Sequence, residues 1–196
     1  MGLLDGKVAW ITGGSRGLGR AMAVTFAREG AYVAFNYTRS HSDAEETLRR
    51  IREVGRGRAF AVSVLDKPGL KDLCKAVEAE AGTIDILVNN AGHGQVVPLA
   101  LMEEEDWDRM MDTHVKGAFL ASQAVLRGMV RIKRGHILNI GSLAGVKMLQ
   151  APVHYSTAKA ALRGFTESLA KEVSRYGVRV NCLAPGLLEE IGRAHV

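Results

Sequence analysis

Short runs rich in Val, Ile and Ala alternate with helix-length amphipathic segments along the whole of this 196-residue chain. The apolar runs fall at residues 7–11, 32–36, 59–64, 84–89, 136–140 and 179–182. They are apolar almost throughout rather than at every second residue, the pattern of strands covered on both faces. Amphipathic segments lie between them, near residues 17–29, 42–54, 68–81, 104–131 and 156–175. Strand, helix, strand in repetition implies right-handed crossovers. The expected fold is therefore α/β, a Rossmann-like doubly wound parallel sheet of six strands in one domain. The punctuation agrees: Ser42 or Asp43 is placed to cap the second helix and Pro68 to open the third. Gly30, Gly55, Gly82 and Gly177 each follow a helical run, where a left-handed closing residue is wanted.

Composition excludes several classes of function. The chain is 47% hydrophobic and 24% charged, which is ordinary for a soluble domain with a sizeable core. No apolar stretch is long enough to span a bilayer, and the start carries no secretory signal, so a cytoplasmic protein without a membrane partner is expected. Cys74 and Cys182 lie far apart and read as reduced thiols. The histidines, at 41, 93, 114, 136, 154 and 195, are scattered, so no metal site is expected. Net charge is +5, but the cations are dispersed. The one basic run, Arg131, Lys133 and Arg134, has no interleaved aromatics and reads as a solvated helix end, not a nucleic-acid surface.

The first strand runs into Thr12-Gly13-Gly14-Ser15-Arg16-Gly17-Leu18-Gly19, and a helix follows. Glycines let a backbone turn tightly and approach a pyrophosphate, and the next helix offers N-terminal amides and the positive end of its dipole. A glycine-rich turn is weak evidence alone; its place between first strand and first helix gives it meaning. The second strand leads through Asn36 to Arg39 with no acidic residue to bind a ribose 2′-hydroxyl. Arg39, with Arg16 in the loop, suits a 2′-phosphate, so NADP(H) is expected over NAD(H).

The fifth strand ends at Gly141-Ser142, and Tyr155 and Lys159 follow four residues apart, on one face of a helix. A free tyrosine, with a pKa near 10, is a poor acid or base at neutral pH, and a neighbouring ammonium corrects that by favouring the phenolate. Open α/β sheets bind ligands at the carboxyl ends of their strands, where Ser142 stands.

Taken together, Thr12-Gly13-x-x-x-Gly17-x-Gly19, Asn89-Asn90-Ala91-Gly92, Ser142, Tyr155-x-x-x-Lys159 and Pro185-Gly186 resemble the classical short-chain dehydrogenase/reductase family over residues 5 to about 188. Within it the nearest likeness is to 3-oxoacyl-(acyl-carrier-protein) reductases of fatty acid biosynthesis. The resemblance implies an NADP(H)-dependent oxidoreductase that reduces a carbonyl to a secondary alcohol. Tyr155 would be its general acid, Ser142 the hydrogen-bond partner of the carbonyl oxygen, and Lys159 the ribose ligand and partner of Tyr155. It implies a cofactor set of Gly13, Ser15, Arg16, Gly17, Leu18, Gly19, Asn36, Arg39, Ser63, Val64, Asn90, Ala91, Gly92, Tyr155, Lys159, Pro185 and Gly186. It also implies a homodimer or tetramer built on the long helices, and an acidic acyl carrier protein as a candidate partner for Lys133, Arg134 and Arg175.

Three departures from that pattern stand out. His114 joins the implied catalytic set in place of an Asn whose main-chain carbonyl helps hold a relay water in the family; the histidine carbonyl can keep that contact, or the ring can instead perturb the helix bend and slow proton resupply. Ser63 stands where an adenine-contacting Asp is common. The chain stops soon after Pro185-Gly186, where relatives continue into a substrate lid and a seventh strand. Residues 191–196 match one reading frame of a sequencing adapter, and residues 190–196 are expected to be a non-native tail on a domain of residues 1–189. Such a clipped chain raises the alternative of a non-catalytic or weakly active NADP-binding fragment. A longer epimerase-type enzyme, with the same Tyr-Lys pair, has a different glycine spacing.

Overall fold

Strands β1 (Val8–Thr12), β2 (Tyr32–Tyr37), β3 (Arg56–Ala61), β4 (Ile86–Asn89), β5 (Gly135–Ile140) and β6 (Val178–Leu183) form one parallel sheet in the order β3-β2-β1-β4-β5-β6. The computed structural model describes residues 2–147 and 150–188. Helices α1 (Gly17–Arg28) and α2 (His41–Val54) pack on one face. Helices α3 (Lys67–Ala81), α5 (Gly117–Ile132) and α6 (Val153–Val173) pack on the other, with α4 (Glu104–Met111) leading into α5. The strand order reverses between β1 and β4, which opens a crevice at their carboxyl ends.

Alternation along β1 divides the core. Val8 and Trp10 pack with Leu70, Leu73 and Met129, whereas Ala9 and Ile11 pack with Ala23, Ala27 and Ile51. Each large side chain buried this way contributes about 1.5–3 kcal/mol. Asp85 is a buried exception with its partners supplied: it accepts from the Val8 amide at 3.1 Å and pairs with Arg134 at 2.9 Å. Arg134 is therefore tied to the sheet, unlike the freely solvated helix end expected for its run.

The expected fold holds, with local corrections. β3 lies three residues earlier than its apolar run suggested, because its register on β2 pairs Tyr32 with Arg56 and Tyr37 with Ala61. It is an edge strand with outward polar residues, and the chain turns away at Val62, whose carbonyl accepts from Asn36 Nδ2. The expected helix 104–131 is broken by a π-helical turn, Asp112–Lys116, between α4 and α5. α6 begins at Val153, not at 156, which puts Tyr155 in its first turn.

The caps differ as well. α2 follows Ser40 and has no side-chain cap; Asp43 is spent on Arg20 at 3.0 Å. Pro68 does open α3, whose cap is Asp66 Oδ1 accepting from the Gly69 amide. Gly30 and Gly177 close their helices at positive φ, but Gly55 is extended at φ −179° and Gly82 combines φ 95° with an extended ψ. Lys133, with φ 51°, is the non-glycine residue that closes α5 in the left-handed region. Among the described residues, no helix is long and apolar enough to cross a membrane.

Candidate active site

The glycine loop is shaped by what its glycines leave out. Gly13 has φ 67°, and a Cβ there would lie 2.9 Å from Ala91 Cα. A Cβ on Gly19 would overlap the Gly13 carbonyl oxygen and press on Asn90 Nδ2 at 2.7 Å. The loop is therefore closely packed against the segment after β4. Thr12 Oγ1 accepts from the amides of Asn90 and Ala91 at 3.0 and 2.9 Å. Asn90 Nδ2 returns the link, donating to the carbonyls of Thr12 and Gly13 at 3.0 and 3.1 Å. Two loops far apart in sequence become one wall of the crevice. The first turn of α1, from Gly17 through Leu18 and Gly19, presents amides that no intrahelical carbonyl can satisfy. A bare, positively polarised cradle of this kind fits a pyrophosphate.

Around the second strand the assignments diverge. Asn36 is 1% exposed, and its amide is engaged at both ends: Oδ1 accepts from Trp10 Nε1 at 3.0 Å and Nδ2 donates to Val62 O at 2.9 Å. Its carbonyl accepts from the Gly14 amide at 3.2 Å. Asn36 thus shapes the crevice floor rather than reaching into the crevice with its side chain. Arg16 and Arg39 are exposed. Ser15 is buried, and its carbonyl is gripped by Arg20 and Thr47. Ser63 Oγ accepts from the Leu65 amide, and Val64 packs under Gly117, where a Cβ would come within 2.8 Å of Val64 Cγ2.

Across the crevice, β5 delivers Ser142 at its carboxyl end. Ser142 Oγ accepts from the Ala144 amide at 3.2 Å, which leaves the hydroxyl proton free to donate elsewhere. The Leu143 amide donates to Pro185 O at 3.0 Å, so Pro185-Gly186 is held against the same turn. Tyr155 and Lys159 project from the start of α6. Lys159 is 6% exposed, its Nζ donates to Ile140 O at 2.7 Å, and it lies 5.7 Å from the centre of the Tyr155 ring. Burial lowers the Lys159 pKa to about 8.

His114, in the π-helical turn, is 4% exposed and meets the Tyr155 ring edge to face, 5.8 Å between centroids. Burial, and then the Lys159 ammonium, push its pKa down to about 3. Its Nε2 faces both the amide and the carbonyl of His93, at 3.2 and 3.0 Å. His154, buried directly before Tyr155, completes a group of three histidines that their scattered sequence positions concealed.

Sequence reasoning missed other buried polar groups. Asn89 donates to Ser122 and Asn139, and Asn139 donates to Thr166, a hydrogen-bonded ladder beneath the site from β4 to α6. The available signal was polar residues inside otherwise apolar strands. Cys74 is buried, which pushes its thiol up to about 12, and Cys182 is half-buried beside Gly141. A pocket of about 370 Å³ between α6 and β6, lined by Arg163, Asn181 and Cys182 among others, includes neither the glycine loop nor Ser142, Tyr155 or Lys159.

Comparison with known proteins agrees with this geometry. A profile of the short chain dehydrogenase family matches residues 7–192. The 3-oxoacyl-(acyl-carrier-protein) reductase of Vibrio cholerae is 41% identical over 186 residues, covering 95% of this chain and 75% of that protein. The Escherichia coli protein of the same name is 38% identical, covering 94% and 75%. Among solved structures, an NAD+-bound xylitol dehydrogenase superposes with TM-score 0.89 at 32% identity, covering 94% of this chain and 71% of that one. A short-chain type dehydrogenase/reductase from Mycobacterium marinum superposes with TM-score 0.88 at 34% identity, covering 93% and 75%. The glycine cradle, the Ser142–Tyr155–Lys159 arrangement and these likenesses converge: the chain belongs to the short-chain dehydrogenase/reductase family of oxidoreductases.

Proposed function

We propose that this chain is an NADP(H)-dependent reductase that converts a carbonyl, best suited by a 3-oxoacyl thioester or a similar ketone, to a secondary alcohol. One observation carries the reading. A buried ammonium, Lys159, is pinned to Ile140 O at 2.7 Å and lies 5.7 Å from the Tyr155 ring, at the sheet edge where the glycine cradle opens. When bound, the reduced nicotinamide supplies a hydride to the carbonyl carbon. The phenol of Tyr155 gives its proton to the carbonyl oxygen, which completes a two-electron reduction. Ser142, its Oγ already accepting from Ala144, donates its own proton in a hydrogen bond to that oxygen. Lys159 spends one N–H on Ile140 O and keeps two for the nicotinamide ribose and the developing phenolate.

The cofactor would lie along Gly13, Ser15, Gly17, Leu18 and Gly19, with Asn90, Ala91 and Gly92 on the adenosine-ribose side, Ser63 and Val64 near adenine, and Pro185-Gly186 near the nicotinamide. NADP(H) is favoured over NAD(H) by the exposed Arg16 and Arg39 and the absence of a carboxylate just after β2. The printed names of the relatives favour an acyl group on a carrier protein. Lys133 and Arg175 are the cations open to that acidic partner, whereas Arg134 is committed to Asp85. Self-association through α5 and α6 is supported by Phe119 and Val153, apolar residues 43% and 45% exposed on those helices. A cytoplasmic setting follows from the same reading.

Mixing the protein with NADPH and an acetoacetyl thioester, and following nicotinamide absorbance, tests the proposal. Turnover lost in Tyr155→Phe with NADPH binding retained is the expected result. Binding without turnover in the unaltered chain would leave the non-catalytic reading standing.

A further inference from the structure

The peptide that leads into Arg16 is held from outside the glycine loop. The Ser15 carbonyl accepts from Arg20 Nε at 3.1 Å, Arg20 Nη2 at 2.8 Å and Thr47 Oγ1 at 2.8 Å, three donors on an oxygen with two lone pairs. Thr47, on α2, is wholly buried, and Arg20, on α1, has a side chain 19% exposed. In a trans peptide the carbonyl and the next N–H point in opposite directions, so drawing the Ser15 oxygen toward α2 turns the Arg16 amide away from it. The same guanidinium also grips the first turn of α2. Its Nη2 donates to Asp43 O at 3.1 Å and to Asp43 Oδ1 at 3.0 Å. That turn follows Arg39 closely: α2 begins at His41, whose amide donates to Arg39 O at 3.2 Å. One side chain thus ties the segment leading to Arg16 to the segment leaving Arg39, while both of those arginines stay exposed. Asp43 neutralises the Arg20 charge, so this third arginine is spent on the scaffold and not on a ligand.

We propose that Arg20 is a positioning residue for cofactor choice, a crossbar that fixes the spacing of Arg16 and Arg39 so that both meet a nucleotide 2′-phosphate. The proposal rests on the NADP(H) reading and extends it from the two exposed arginines to the side chain that sets them. A phosphate gripped by two flexible side chains costs less entropy when the backbones that carry them are already fixed. Removing the guanidinium has a second effect, because it leaves the Asp43 carboxylate unpaired at the start of α2, a like charge to the phosphate.

The test uses the full chain with Arg20→Met, Arg20→Lys and Thr47→Val, and two probes that differ by that phosphate alone, adenosine 2′,5′-bisphosphate and adenosine 5′-monophosphate. Calorimetry below the unfolding temperature of each protein is expected to show the bisphosphate weakened about tenfold in Arg20→Met and the monophosphate changed by less than about twofold. Arg20→Lys keeps the charge beside Asp43 and a donor for Ser15, and recovers part of the loss. Thr47→Val alters no charge and keeps the side-chain shape; it weakens the bisphosphate about threefold, a readout that stands even if the methionine variant does not fold. Without ligand, the amides of residues 14–17 exchange about tenfold faster in Arg20→Met. Equal weakening of both probes marks a purely structural role and overturns the proposal, as does unchanged bisphosphate affinity in Arg20→Met or Thr47→Val. An unaltered chain that binds the two probes equally sinks the NADP(H) reading, while the ligand-free exchange still decides the crossbar.

Discussion

Lys159 Nζ donates to the carbonyl of Ile140 at 2.7 Å, so the ammonium beside the Tyr155 ring is anchored to the end of the strand that leads to Ser142. The anchoring comes at the expense of solvation. Burial brings the Lys159 pKa from 10.5 to about 8.

Lys159→Met therefore separates stability from activity. The folded-state pKa lies below the unfolded one, so the desolvation penalty is fully present below pH 8 and is relieved as pH rises from 8 toward 10.5. At pH 7 the variant is expected to be more stable by about 2 kcal/mol, after the lost bond to Ile140 is counted. Its thioester reduction should fall by about a hundredfold or more. Urea unfolding of the cofactor-free protein, set beside initial rates, measures both; a variant less stable at pH 7 than at pH 10 relative to the parent would contradict the assignment.

Acid should unfold this protein through His114. Its pKa of about 3 lies below the ordinary histidine value of 6.5, so its contribution is complete above pH 6.5 and is lost as pH falls toward 3. Between pH 6.5 and pH 5 the parent should lose about 2 kcal/mol relative to His114→Asn. Paired denaturation curves at the two pH values give that difference directly, and parallel curves would count against it.

The six-stranded parallel sheet, the glycine loop between its first strand and first helix, and the placing of Tyr155 and Lys159 on one helix near Ser142 were legible because each rests on local pattern: apolar runs, a glycine loop, an i, i+4 pair. What was hidden depends on packing between distant segments. Nothing near Asn36 announces that Trp10 and Val62 occupy its amide. The helix through 104–131 reads as continuous because a π-helical turn uses the same residue types as an α-helix. The meeting of His93, His114 and His154 follows from that turn and from the register of α6, neither of which is written in spacing.

Cofactor choice should follow the two exposed arginines. Arg39→Asp is expected to lower kcat/KM for NADPH by about tenfold to a hundredfold, the worth of one charge-assisted hydrogen bond. It should raise the value for NADH, because an acid after β2 suits a free 2′-hydroxyl. Rates with both cofactors check this, and an unchanged ratio would move the 2′-phosphate away from Arg39.

Gly19→Ala probes the cradle. The added methyl meets the Gly13 carbonyl and Asn90 Nδ2, so loop and β4 segment must part. Destabilisation of about 1–3 kcal/mol and at least tenfold weaker NADPH binding are expected. Calorimetry on folded variant gives the second number, and unaltered affinity would place the pyrophosphate elsewhere.

Trp10, wholly buried under the crevice, is bonded through Asn36 to the loop that follows β3. Its indole is a fluorophore built into the floor of the proposed nucleotide cleft. Reduced nicotinamide absorbs where tryptophan emits, so occupancy of that cleft can be followed as a quenching of the protein's own light, with no label attached.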